Sequence, residues 1–183
     1  MLLAGKVRII GGQWRSRLIQ FADDTLIRPT PDRVRETLFN WLGQDLTGKT
    51  CLDLFAGSGA LGFEAASRGA ERVVMVEQSM KAVRNLRDSI EKLGASQVAL
   101  EHASAGTFLA TGAERYDIVF IDPPFKSGLL VEVLPLLPEK LKEGGVVYVE
   151  SSDRLLPDNT WSIWKQSRAG HVHYGLLSLN LDG

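Results

Sequence analysis

One stretch constrains this chain more than any other: Cys51-Leu-Asp-Leu-Phe-Ala-Gly-Ser-Gly-Ala-Leu-Gly-Phe-Glu-Ala65, an apolar run that ends in a glycine loop and continues as a helix-like run. It reads as a strand, a tight turn and a helix N-terminus. Gly57, Gly59 and Gly62 have the spacing of a nucleotide-binding turn. Glycines there tolerate positive φ and, lacking Cβ, let a ligand approach the backbone closely. The spacing alone does not choose the ligand, so the neighbouring residues must.

A chain of 183 residues holds one domain with a proper core and a short appendage. Hydrophobic content of 44% and charged content of 23% exclude disorder and fibrous repeats. No apolar run reaches membrane-spanning length, and Met1 to Lys6 is too short for a signal peptide, so a cytoplasmic protein without a membrane partner is expected. The net charge of -1 hides an asymmetry. Residues 1 to 42 carry seven Lys and Arg against four Asp and Glu, a balance of +3, which leaves -4 for the remainder. Attraction for a polyanion is therefore expected at the N-terminal end. Cys51 is the single cysteine and excludes an intramolecular disulfide or a multi-cysteine metal site; within an apolar strand it is expected to be a packed, inert thiol.

Along the chain, residues 7 to 20 suggest a β-hairpin turning at Gly11-Gly12, with Trp14, Arg15 and Arg17 on its tip and second strand as a surface for phosphates and unpaired bases. In the segment from Arg28 to Leu42, Thr30 is expected to cap a helix that Pro31 begins. Val34, Leu38, Trp41 and Leu42 share its apolar face, leaving Arg33 and Arg35 outward. Strands and helices then alternate. Strands are expected at 50 to 55, 71 to 77, 97 to 101, 116 to 121 and 146 to 150, with helices at 59 to 68, 80 to 93, 104 to 111 and 128 to 142. Ser79 caps the second of these helices, and Gly94 ends it. Residues 161 to 168 and 171 to 181 form an antiparallel hairpin on the sheet edge. Unbroken apolar strands indicate a Rossmann-like, mostly parallel seven-stranded α/β sheet with helices on both faces. His102, His171 and His173 lack companions at ligand spacing, so no metal is expected.

In such a sheet, ligands bind beyond the C-terminal strand ends. Glu77 lies 20 residues past Gly57, where a carboxylate takes ribose hydroxyls, as in NAD or any adenosine ligand. Asp53 before the loop would repel a pyrophosphate and attract an ammonium, while the helix start after Gly59 suits a carboxylate. Ammonium, carboxylate and ribose together describe S-adenosylmethionine. Asp122-Pro123-Pro124-Phe125 follows the fourth strand, and its two prolines leave a loop that presents acceptors only. Asp122 and the Pro123 carbonyl can hold the two N–H groups of an exocyclic amine while Phe125 stacks on its ring.

Asp53 to Gly62 resembles the cofactor motif of class I S-adenosylmethionine-dependent methyltransferases, and Asp122 to Phe125 resembles their signature for methylating exocyclic amines. With Arg8-Ile-Ile-Gly-Gly-Gln-Trp-Arg15 and the segment from Arg28 to Trp41, nearly the whole chain resembles the bacterial 16S ribosomal RNA guanine-N2-methyltransferases of the RsmD type. The resemblance implies methylation of one guanine in small-subunit 16S rRNA, within an assembled or partly assembled subunit, by a monomer that needs no metal. It implies a cofactor site of Asp53, Phe55, Ala56, Gly57, Ser58, Gly59, Glu77, Ser104 and Ala105, and catalytic residues Asp122, Pro123, Pro124 and Phe125. Ser104 departs from the family pattern, which often offers Asp or Asn to the adenine amine, and the neighbouring backbone is the alternative contact. Residues 1–43 are expected to be an RNA-binding extension, with Arg8, Trp14, Arg15, Arg17, Arg28, Arg33 and Arg35 on the RNA, and 44–183 the methyltransferase domain. Alternatives are a DNA adenine-N6 or cytosine-N4 methyltransferase, an NAD-dependent oxidoreductase, and a non-catalytic RNA-binding module.

Overall fold

The opening β-rich segments pair with each other, β1 (Ala4–Arg8) running antiparallel to β2 (Leu18–Ala22), in a computed structural model that describes residues 4–22, 28–124 and 127–180. The connection is longer than a turn at Gly11-Gly12. Ile9 to Arg17 bulge out, with Gly12 and Ser16 at positive φ, and Arg15 and Arg17 lie in this loop rather than on the second strand. Gly12 is confined as well as twisted, because a Cβ there would collide with the Ser67 backbone.

Helix α1 (Asp32–Leu42) follows, with Pro31 rather than Thr30 as its cap and no side-chain capping bond. Its buried face is broader than expected. Phe39 is buried beside Val34 and Leu38. At about 100° per residue, that arc sweeps across the direction of Arg35 as well. Arg35 therefore points inward, only 1% exposed, while Arg33 stays outside.

The central elements run in strict alternation: β3 (Thr50–Asp53), α2 (Ala60–Ser67), β4 (Arg72–Glu77), α3 (Met80–Leu93), β5 (Val98–His102), α4 (Ala105–Thr111) and β6 (Tyr116–Ile121). Local chemistry sets their ends. Ser79 Oγ accepts from Ala82 N, and Gly94 closes α3 at φ 61°. The expected helix over 128 to 142 is cut short. Helix α5 (Leu129–Val133) gives way to two 3-10 turns at Leu134–Leu136 and Pro138–Lys140, because Pro135 and Pro138 lack the N–H groups that a continuing helix requires. Strand β7 (Leu141–Ser151) consequently starts five residues earlier than expected, with a bulge opposite β6.

Strands β8 (Trp161–Ala169) and β9 (Val172–Leu179) form the antiparallel hairpin. The sheet order is β5-β4-β3-β6-β7-β9-β8, parallel from β5 through β7. Each face carries its own core. One gathers Leu52, Val74, Val119, Val147 and Leu177. The other joins Cys51, Val73, Phe120 and Tyr148 to Ile9, Trp14, Ile19, Val34, Leu38 and Phe39, so the N-terminal segments and the sheet share one interior. Among the described residues, no helix is long and apolar enough to cross a membrane.

Candidate active site

The strand order delivers five carboxyl- or hydroxyl-bearing residues to one rim: Asp53 ends β3, Glu77 ends β4, Ser104 follows β5, Asp122 follows β6 and Glu150 lies near the end of β7. The glycine turn occupies the middle. Gly59 needs its glycine, since φ is 82° and a Cβ would lie 2.5 Å from the Phe63 ring. A Cβ on Gly62 would sit 2.5 Å from Met75 Cε and 3.1 Å from Asp53 Oδ2, so α2 packs on the sheet only without it. Glu77 fixes the loop. Its Oε2 accepts from Gly57 N at 2.8 Å and its Oε1 from Ser79 N at 2.8 Å. Phe55 is half-buried, Ala56 donates from its N–H to the Val76 carbonyl at 3.0 Å, and Ser58 turns its hydroxyl to Ala60 N at 3.3 Å.

Asp53 lies deeper than an open ammonium contact would require. It is 2% exposed and accepts from Gly62 N at 3.0 Å, so part of its work is to hold the loop against β3. Burial above all, with Glu77's charge adding to it, pushes its carboxyl up to about 7. Ser104 is also committed. It caps α4 by accepting from Thr107 N at 3.2 Å and donating to Thr107 Oγ1 at 2.9 Å. The Ser104 hydroxyl is thus already engaged within its own helix. Ala105 is buried behind it.

Around Asp122 the structure assembles residues that local pattern does not mark. Thr30 Oγ1 lies 3.1 Å from Asp122 Oδ2 and 2.9 Å from Glu150 Oε1, and Tyr148 OH donates to Glu150 Oε1 at 2.7 Å. Thr30 is therefore a site residue rather than a helix cap. Burial, then Glu150's charge and its hydrogen bond, push the Asp122 carboxyl well above the usual range, while Thr30 opposes the shift. Pro123 is buried and Pro124 exposed; Phe125 lies outside the described residues. One signal for Glu150 existed in the sequence, a carboxylate ending the apolar run Val146 to Val149 beside the Asp122 strand.

The basic residues divide. Arg8, Arg15, Arg17, Arg28 and Arg33 are exposed. Arg8 pairs with Asp32 at 3.0 Å, and Arg17 donates to the Lys92 carbonyl at the end of α3 at 3.1 Å. Trp14 is 7% exposed and packed in the core, so it cannot stack on a base. Arg35 is equally unavailable to RNA. It donates to the Thr30 carbonyl at 3.0 Å and the Arg8 carbonyl at 2.8 Å, and pairs with Asp32 at 2.5 Å and Glu64 at 3.3 Å. Glu64 was legible only as an oddity, a charge inside the apolar run of α2. Its carboxylate accepts from Ile10 N and Gly11 N at 2.9 and 2.8 Å and pairs with Arg68 at 2.9 Å, clamping the N-terminal loop to the glycine-turn helix.

Asp53, Glu77, Asp122 and Glu150 keep this rim acidic even though burial favours the protonated forms of Asp53 and Asp122, which disfavours a pyrophosphate and suits a sulfonium and an ammonium. The bare backbone at Gly57 and Gly59 leaves room for a close approach. These residues fit S-adenosylmethionine, and no group of side chains among the described residues could hold a metal ion. The doubly wound sheet with its C-terminal hairpin is that of the class I methyltransferases. Within that class, the chain belongs to the family described as "Conserved hypothetical protein 95", the RsmD family, whose model matches residues 7–178. It is 41% identical to "Ribosomal RNA small subunit methyltransferase D" of Escherichia coli, over 98% of this chain and 93% of that protein. The protein of the same name from Haemophilus influenzae is 39% identical, over 94% and 93%. The solved structure of yhhF from Escherichia coli superposes with a TM-score of 0.86 at 41% identity, covering 97% of this chain and 100% of that one.

Proposed function

We propose that this protein transfers a methyl group from S-adenosylmethionine to the exocyclic N2 of one guanine in 16S ribosomal RNA, within an assembled or partly assembled small subunit. The observation that carries the reading is Asp122. It is held on an acceptor-only Asp-Pro-Pro loop, on the same rim as the glycine turn and Glu77. The relatives' name, ribosomal RNA small subunit methyltransferase, supports RNA over DNA as the substrate.

In this reading Gly57, Gly59 and the α2 N-terminus hold the amino-acid end of the cofactor over Asp53, Glu77 takes the ribose, and Phe55, Ala56, Ser58 and Ala105 line the site. When bound, the cofactor supplies a methyl group activated on a sulfonium. Asp122 and the Pro123 carbonyl accept from the target amine. Drawing both N–H groups toward acceptors turns the nitrogen lone pair to the methyl group, which combines positioning with electrostatic stabilisation. Phe125 stacks on the base, which must be splayed out of its helix to reach the rim. Residues 1–43 serve as the RNA-binding extension, with Arg8, Arg15, Arg17, Arg28 and Arg33 on phosphates.

Radiolabelled methyl transfer to hypomethylated small subunits, naked rRNA and DNA tests the proposal, followed by mapping of the modified base. The expected result is label at guanine N2 in subunit RNA. Label on DNA alone, or none on any substrate, overturns it.

A further inference from the structure

Buried charge usually finds a countercharge, and at one place in this protein it finds another carboxyl instead. Parallel strands β6 and β7 pair Ile121 with Val149, which brings the next residues, Asp122 and Glu150, side by side, with Thr30 Oγ1 3.1 Å from one carboxyl and 2.9 Å from the other. Glu150 is 6% exposed, Thr30 4% and Tyr148 fully buried, while Asp122 is half-buried at the open side of the pair. Among the described residues, neither carboxyl has an ion-pair partner. Two neighbouring carboxyls bridged by one hydroxyl and largely withdrawn from water disfavour two negative charges, so one proton is held by the pair. Tyr148 OH donates to Glu150 Oε1, and Thr30 Oγ1 lies within hydrogen-bond distance of both Glu150 Oε1 and Asp122 Oδ2. Glu150 thus has two hydroxyls within reach against one shared hydroxyl for Asp122, which makes Glu150 the better-placed anion and Asp122 the protonated partner.

We propose that Asp122 and Glu150 share a single proton at rest, and that the proton released by the target amine passes through Asp122 to Glu150. The inference rests on the methyltransferase reading and specifies its last step. The amine lone pair forms the new N–C bond, and the electrons of the broken bond stay with the donor's sulfur. One N–H proton then moves to an oxygen of Asp122, whose own proton shifts to Glu150. The pair goes from one proton to two and resets by releasing one to water. Glu150, Thr30 and Tyr148 are positioning residues, since each acts through Asp122. Among the described residues, the other charged or titratable groups facing the pair are Asp53 at the end of β3, Tyr174 on β9 and Arg35 of α1, which holds the Thr30 carbonyl.

Infrared titration of the ligand-free protein tests the shared proton without any methyl transfer. With Asp53→Asn as the background, which removes the other raised carboxyl, a carboxylic-acid band is expected at neutral pH, and adding either Asp122→Asn or Glu150→Gln should abolish it. Absence of the band, or its survival in both variants, overturns the proposal. The relay is tested by the pH profile of single-turnover methylation. Each hydroxyl removed takes a donor from the singly protonated pair and favours its doubly protonated form, so Tyr148→Phe and Thr30→Val should each move the acid limb to higher pH by about one unit, with Thr30→Ser restoring it. Unmoved acid limbs in both variants overturn the relay even if the aspartate and glutamate variants fail to fold. A wild-type protein that methylates no RNA would sink the functional reading, while the infrared result would still decide the pair.

Discussion

Arg35 Nη1 lies 3.3 Å from Glu64 Oε2, and both side chains are sealed from solvent at 1% and 0% exposure. This pair joins α1 to α2 beneath the N-terminal loop. Removing one partner strands the other as an uncompensated buried charge, so Arg35→Ala or Glu64→Ala should lower the unfolding free energy by about 3–5 kcal/mol. Arg33→Ala, on the exposed side of the same helix, should change it by less than about 0.5 kcal/mol. Urea unfolding of the three variants checks the contrast.

Exposure separates the arginines that can meet RNA from the one that cannot. Arg15 and Arg33 are free at the surface. Replacing both with Ala should weaken binding to rRNA and flatten the salt dependence by about one unit of slope for each phosphate no longer neutralised, with cofactor affinity unchanged. Filter binding across a salt series, beside calorimetry with S-adenosylmethionine, measures both. Equal salt slopes in wild type and variant would remove these residues from the interface.

At Gly62 there is no space for a methyl group between Met75 and Asp53. Gly62→Ala should push α2 off the sheet, costing about 1–3 kcal/mol of stability and weakening cofactor binding at least tenfold. Thermal melts and calorimetry on the same preparation give the two numbers. Wild-type affinity in the variant would mean that the glycine turn is not the binding site.

Asp53 makes stability depend on pH with a definite sign. Its carboxyl is raised from 3.8 to about 7 in the folded state. Folding therefore favours the protonated form. The associated stability is present below pH 4 and is lost as pH rises through 7, an effect of up to about 4 kcal/mol. Asp53→Asn keeps an acceptor for Gly62 N and should remove this dependence. The melting difference, variant minus wild type, is expected to grow between pH 5 and pH 8 in the ligand-free protein. A constant difference would contradict it.

Cys51 is the reactive-residue counterpart of this contrast. Burial pushes its thiol up to about 12. It should resist alkylation in native buffer and react only after denaturation, which mass spectrometry reads directly.

What could be read from the sequence was what local chemistry decides. The helix from Met80 to Leu93 was legible because Ser79 and Gly94 mark both its ends, and Tyr116 to Ile121 because an unbroken apolar run can only be a covered strand. Asp122 was legible because its two prolines announce a loop with a fixed direction. Glu150 was not, because its role comes from its register with β6, and register is a relation between distant segments. Thr30 has ideal capping chemistry and spends it on two carboxyls instead. Arg35 was misread because a helix buried on a wide arc takes in residues that a narrow stripe would leave outside. From 128 to 142 one long helix was expected, and Pro135 and Pro138 overruled it.

Strand β9 lies between β7 and β8, with Tyr174 paired to Glu150 and stacked on Trp41 of α1 at 5.5 Å. During synthesis, then, a chain extended only to residue 160 has every element of the glycine turn and the Asp-Pro-Pro loop, yet β7 is an open edge and α1 still lacks its aromatic neighbour. The site matures late: Glu150 is covered only once residues 172 to 179 have left the ribosome and paired with β7.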